Sequence, residues 1–439
     1  MVKQSAMKNL CFCLSVVMLS SLVSTAETSK AKLKDRHLAA TPAVNDPSAR
    51  ASRWQEDLDY FARELPVRQK DFYLLMPKEE FERKVAELKD EVPQLSDAEI
   101  VLQLMRIVAL LGVAHTEIER THILHSYPIQ MRWFSDRLAV VEAAPEYREA
   151  LGSRVVRIGS MTPEKVEAAM APYISHENDA HLHVRSPQLI TMVELMRNEK
   201  IADDAGHLQL TCAKADGKEF TLKIDPMGPT ETKQKLVNAA DALHIQTALC
   251  NKHPKAFYWY EYLPDTQTLY IQYNKCQDEP GLPFQEYAQT LFAYADSRPV
   301  QRVVVDLRFN GGGGSGIVKP LVEGLKSRPA LTAKGHLYAL IGSRTFSSAM
   351  FAVRDFRDGL QAILVGEPTG NKPNHYGQAS LFELPNSKLE VQYSTKHFQL
   401  VKADDPPAFY PDVPVAVSLQ DFLAGRDPVL EAVLHHPLQ

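Results

Sequence analysis

Val303-Val304-Val305-Asp306-Leu307-Arg308-Phe309-Asn310-Gly311-Gly312-Gly313-Gly314 is the stretch from which the rest of the chain is best read. Three β-branched residues in a row favour an extended backbone. A run with no polar alternation suits a strand buried on both faces of a layered sheet. The four glycines let backbone N–H groups approach a ligand closely and take positive φ. They do not make a phosphate loop, which needs Lys and Ser/Thr directly after its last glycine, because Gly316 is followed by Ile317 and Val318. Taken alone, the glycines fit a flexible turn as well.

On either side the pattern alternates between strand and helix. Strands are expected at Phe257 to Tyr262, Thr268 to Tyr273, Arg302 to Leu307, His336 to Ile341 and Ala362 to Val365, with helices at Phe284 to Asp296, Ile317 to Lys326 and Phe346 to Arg357. Such alternation predicts helices packed on a mostly parallel sheet, an α/β arrangement. After the strand ending at Ile341 comes Gly342-Ser343-Arg344-Thr345-Phe346-Ser347-Ser348-Ala349, which opens a helix. A serine there meets unpaired N–H groups and the positive end of a helix dipole, which suits a developing negative charge. Strand, turn, serine, helix is also how other hydrolases expose a nucleophile. On this feature alone, a helix cap is the better explanation of Ser347 or Ser348.

Toward the N-terminus the periodicity becomes helical. Trp54, Leu58, Phe61 and Leu65 fall on one helix face that Pro66 is expected to end. Phe81, Val85, Leu88 and Val92 form a second face, and Ser96 with Glu99 is a capping box for a third helix that Gly112 closes. Short strands follow at Leu138 to Val141, Arg154 to Ile158 and Phe220 to Ile224, with a helix at Pro163 to Ala171. The expected organisation is a signal peptide over 1–26, a linker over 27–52, a helical module over 53–125, an α+β insert over 126–226, a connector over 227–255 and a catalytic core over 256–439.

The chain has 439 residues, 45% hydrophobic and 23% charged, with a formal net charge of -5. That is more than one core usually holds, and it carries no basic stripe for nucleic acid. Lys3 and Lys8, an uncharged run from Leu10 to Val23, and Ser24-Thr25-Ala26 make a secretory signal. The run is shorter than the ~20 residues of a membrane helix, so no stable span is expected. Cys212, Cys250 and Cys276 remain after it, an odd number with no metal-ligand spacing, which allows one disulfide plus a thiol.

Three segments together resemble the C-terminal-processing, or tail-specific, serine peptidases: Asp306 to Gly313, Thr345 to Ala349, and Gly366-Glu367-Pro368-Thr369-Gly370-Asn371-Lys372. The resemblance covers residues 256–439 and implies a Clp peptidase/crotonase-like core acting on polypeptides, with no metal or cofactor. Aligned without gaps, Ser347 falls on the family's nucleophile and Lys372 on its general base, 372 − 347 = 25 residues on. Gly312 and Ser348 would supply the oxyanion-hole N–H groups, while Asp358 and Glu367 would support the site. Asn371 departs from the family's glycine, and Pro373-Asn374-His375 follows the lysine.

A second base is available in Gly112-Val113-Ala114-His115-Thr116, which resembles the Gly-x-x-His-Thr segment of the tricorn-like branch of the same superfamily. Imidazole accepts a proton near neutrality with little tuning, and activity would then rise through roughly pH 6 to 7.5. Lowering a lysine to pH 7 needs roughly 4–5 kcal/mol of desolvation or like charge. His115 is therefore the expected base, within hydrogen-bonding reach of Ser347, with Lys372 as its rival and His375 as a third option. Leu151 to Gly159 resembles a PDZ stretch, which implies a hold on a substrate's C-terminus. The alternative to an exported serine endopeptidase is a catalytically drifted binding module for an apolar ligand or peptide, since retinoid-binding proteins resemble the same core.

Overall fold

The computed structural model describes residues 46–119, 123–228, 236–402 and 404–438. The signal segment and Cys11 and Cys13 lie outside them. The compact unit Pro47–Gln439 opens with α1 (Pro47–Arg68), α2 (Lys78–Glu91) and α3 (Asp97–Ala109). The capping box of α3 forms as the sequence indicates, Ser96 and Glu99 each satisfying the other's backbone N–H. Two expectations fail at α1: it begins at Pro47, inside the anticipated linker, and it runs through Pro66 to Arg68. Proline removes the bond its N–H would donate and crowds the carbonyl one turn back, and the helix ends two residues later.

Then come β1 (Glu117–Ile118), β2 (Ile129–Trp133), β3 (Leu138–Ala143), β4 (Arg154–Ile158), α4 (Pro163–Met170), α5 (Asp179–Ile190), α6 (Val193–Asn198), β5 (Leu208–Ala213), β6 (Glu219–Ile224) and β7 (Val237–Asn238). Strands β2 to β6 form an antiparallel sheet in chain order, with β7 added to β3.

The remaining elements are β8 (Tyr258–Leu263), β9 (Thr268–Tyr273), α7 (Phe284–Asp296), β10 (Arg302–Asp306), α8 (Lys319–Lys326), β11 (Leu337–Ile341), α9 (Ala349–Arg354), β12 (Ile363–Gly366), β13 (His375–Glu383), β14 (Glu390–Phe398), β15 (Val413–Pro414), α10 (Leu419–Leu423) and α11 (Pro428–His435). The central sheet runs β15-β12-β11-β10-β9-β8, parallel except where β8 meets β9. The valine run behaves as its composition requires. Val303 and Val305 face α7, α8 and α9, while Val304, Tyr270 and Tyr338 face α11. Both faces are covered, so no position in β10 could be polar without a partner.

Because β9 to β12 are parallel and adjacent, the loops that follow them all emerge at one edge, where ligands of open α/β sheets bind. A second connection reaches that edge. The hairpin β13–β14 leaves the central sheet and pairs with β1, Glu117 opposite Gln392. Its Phe382, Leu384, Leu389 and Val391 join the same apolar cluster as α1 to α3 and the insert sheet. Buried Asp57 in α1 accepts the N–H groups of Asn386 and Ser387 at the hairpin's turn, each at 2.7 Å. Gln69 accepts from Ser394 N–H and from Thr116, each at 2.8 Å. The segment carrying His115 is thereby fixed to the core by β-pairing, packing and buried hydrogen bonds.

Candidate active site

At the end of β10, Asp306 and Asp427 hold the Arg308 guanidinium from two sides, with Nη2 at 2.6 Å from one and 2.7 Å from the other. Tyr270 donates to Asp306 at 2.7 Å. All three charges are buried, so each needs the others. The cluster clamps the loop that follows. There, buried Asn310 donates to Tyr273 O at 2.8 Å, and its carbonyl accepts the Gly312 N–H at 2.9 Å. Its backbone oxygen takes the Phe346 N–H at 3.0 Å, which joins this loop to the serine loop. The junction is tight. A Cβ on Gly312 would lie 2.6 Å from Ser347 Cβ, and one on Gly313 would lie 2.2 Å from Cys276 O; both glycines have positive φ. Side chains are excluded from the cradle beside the serine.

Ser347 has φ +55°, a left-handed conformation that costs a non-glycine residue of order 1–3 kcal/mol. It is held there by Met350 N–H donating to its carbonyl at 2.9 Å and by its own N–H donating to Asn371 Oδ1 at 3.0 Å. It is half-buried at the start of α9. Ser348 is engaged differently, its hydroxyl donating to Gly313 O at 2.5 Å. Its N–H has no acceptor among the described residues, and neither has that of Gly313. The Gly312 N–H assigned from sequence to the oxyanion hole is instead spent on Asn310, a correction caused by the side chain folding back over its own loop.

His115 is brought to this place, with its ring stacked on Phe346, the residue before Ser347, at 4.5 Å between centroids. It is 6% exposed, and neither ring nitrogen has a hydrogen-bond partner among the described residues. The expected hydrogen bond to Ser347 is therefore absent, because the imidazole lies against Phe346. Apo catalytic pairs are often loose and tighten with substrate. Burial pushes the His115 pKa down to about 3, and neighbouring His375 adds to the effect, so the ring is neutral well below pH 6. The anticipated rise in activity through pH 6 to 7.5 does not follow from this ring. His375 lies 5.7 Å from His115, with Nδ1 on the carbonyls of Lys372 and Pro373 and a pKa lowered by burial to about 4. His181 also stacks on Phe346, and burial lowers it to about 3.

Lys372 is not brought to the serine's hydroxyl. Its ammonium pairs with Asp405 at 2.6 Å, and a donating ammonium has no lone pair to offer. Asp358 is also displaced. The turn Asp355–Gly359 is π-helical, which adds a residue and breaks the spacing that would have aligned it with Ser347. It pairs with Arg357 at 2.6 Å on the surface. Glu367 is half-buried at the end of β12, its pKa raised by burial and partly restored by Arg132 and Arg308. Cys212, Cys250 and Cys276 are separate buried thiols, so the disulfide allowed by the count is not formed among them.

Glu177 went unnoticed in the sequence. Its carboxylate accepts from the Asn371 side chain and from Lys372 N–H, and burial raises its pKa to about 7. Only the asparagine in place of a motif glycine signalled that something reaches this position.

No protein-family model matches the chain, and no curated protein matches it by sequence. Among solved structures, mature CPAF complexed with lactacystin is similar, with a TM-score of 0.60 at 12% identity over 88% of this chain and 98% of that one. Mature CPAF alone gives 0.59 at 12% identity, over 88% and 97%. The photosystem II D1 C-terminal processing protease gives 0.39 at 12% identity, over 88% and 96%, too loose to add weight. The likeness to CPAF is one of fold: a mixed α/β chain of several sheets.

Proposed function

We propose that the chain is an exported serine endopeptidase of the tail-specific kind, with Ser347 as nucleophile and His115 as base. One observation carries this reading: Ser347 is held in a left-handed turn at the head of α9, its own N–H capped and the next one open, beside an unpartnered imidazole. In the reaction, Ser347 Oγ attacks a peptide carbonyl carbon while a His115 nitrogen takes its proton. The negative oxygen is received by the N–H groups of Ser348 and Gly313, each worth about 3 kcal/mol in such sites. The imidazolium then protonates the leaving amine, and water, deprotonated by the same ring, releases the acyl group. The low pKa keeps His115 ready to accept a proton but makes its charged form costly. Substrate therefore has to supply the stabilisation, through the oxyanion formed next to it.

The central sheet with its α7–α9 layer would be the Clp/crotonase-like core, and the β2–β6 sheet the PDZ-like insert that presents a substrate's C-terminus. Met1 to Ala26 would be removed on export; N-terminal sequencing of exported protein should begin near Glu27, and an intact Met1 in the cytosol contradicts that. The hydrolytic reading is tested with a fluorophosphonate, with lactacystin, the partner of CPAF, as a second probe. Covalent labelling is expected, and a binding module would stay unlabelled.

A further inference from the structure

The segment at 175–178 docks across two loops that belong to different parts of the chain. Asn178 caps α5 through its Oδ1, and its Nδ2 donates to Thr369 O at 3.0 Å and Pro407 O at 2.6 Å. Next to it, the Glu177 carboxylate takes the Asn371 side-chain amide and, at 3.3 Å, the Lys372 N–H. Asn371 is itself fully buried and turns its Oδ1 to Ser347 N–H. One carboxylate is thus joined, through a single amide, to the strained serine.

We propose that Glu177 and Asn371 are positioning residues that hold Ser347 in its left-handed turn. The proposal rests on the hydrolytic reading for its consequence in rate, but not for its geometry. A primary amide can serve the role because it is polar in both directions: Nδ2 gives to the carboxylate, and Oδ1 receives from the backbone. The glycine that the motif would have here could do neither. Occupying the Ser347 N–H also removes it as an oxyanion donor and leaves Ser348 to act.

Polarity reversal tests the pairing. Asn371→Asp keeps an acceptor for Ser347 but sets a second carboxylate against Glu177. Glu177→Gln in the same chain restores a donor facing it. Two readouts are needed: the rate of fluorophosphonate labelling, and hydrogen exchange of the Ser347 amide, which requires no activity. Asn371→Asp should slow labelling by roughly tenfold or more and speed exchange, with the double variant returning most of both, since coupled pairs deviate from additivity. A double variant no better than Asn371→Asp in either readout overturns the proposal. If the wild-type protein does not label, the hydrolytic reading fails while the exchange arm still decides this one. Should Asn371→Asp fail to fold, folding of the double variant is the rescue. Should neither fold, Asn371→Ala takes their place: exchange at Ser347 should rise, and adding Glu177→Gln should raise it no further. An additive increase contradicts the relay.

Discussion

At the residue scale, the site depends on groups kept in unusual states. Ser347→Ala should abolish phosphonate labelling, whereas Ser348→Ala should retain it, because only its N–H is used. His115→Ala should lose most activity and Lys372→Ala much less, given the lysine's commitment to Asp405; steady-state rates on one peptide decide between them. The buried histidines also fix how stability varies with pH. His115, His181 and His375 are lowered to about 3, 3 and 4, so between pH 4.5 and 6 the unfolded chain binds protons there that the folded one does not. Glu177, raised to about 7, acts in the opposite sense over the same range and offsets one of the three. A net two protons bound on unfolding makes stability fall as pH drops below 6.5, by about 3 kcal/mol per pH unit at most. Urea midpoints at pH 7, 6 and 5 should show the decline, and a flat profile would contradict these assignments. Ser347 was legible in the sequence because strand, turn and helix bracket it. Glu177 was not, since it lies 170 residues earlier (347 − 177) in a stretch with no pattern of its own.

At the scale of elements, legibility followed burial. The core strands and α7 could be read almost to the residue, because continuous apolar runs and a 3.6-residue period leave one solution. The hairpin β13–β14 went unread: its alternation breaks at Gln378, Ala379 and Ser380, none of which is buried, and Pro385-Asn386-Ser387-Lys388 is not a two-residue turn signal. The π-turn after α9 was equally invisible, since one inserted residue leaves the composition of a helix unchanged. The element that matters most to the site is the loop clamped by Arg308. Asp427→Ala leaves the Arg308 charge balanced by Asp306 but takes the acceptor from Nη1 in a buried place, and should cost about 1–3 kcal/mol in urea unfolding. A loss within about 0.5 kcal/mol, the scale of an ordinary surface substitution, would show that the clamp is dispensable.

At the scale of the molecule, the units read from the sequence do not behave as separable pieces. Residues 53–125 were expected to be a module and 256–439 a core, yet the hairpin of the latter is buried among the helices of the former. Expressed alone, 256–439 would expose Phe382, Leu384, Leu389 and Val391 and should be insoluble or inactive; a soluble, phosphonate-reactive core would refute that coupling. The same packing explains how His115 comes to stack on Phe346, next to a serine 232 residues later (347 − 115), a proximity that no local pattern could reveal. The most direct test of the central claim is to label the purified full chain with a fluorophosphonate and map the adduct by peptide mass spectrometry. A single adduct on Ser347, lost in Ser347→Ala and strongly slowed in His115→Ala, is the result expected here. A folded protein that takes no label, or takes it on another residue, would contradict it.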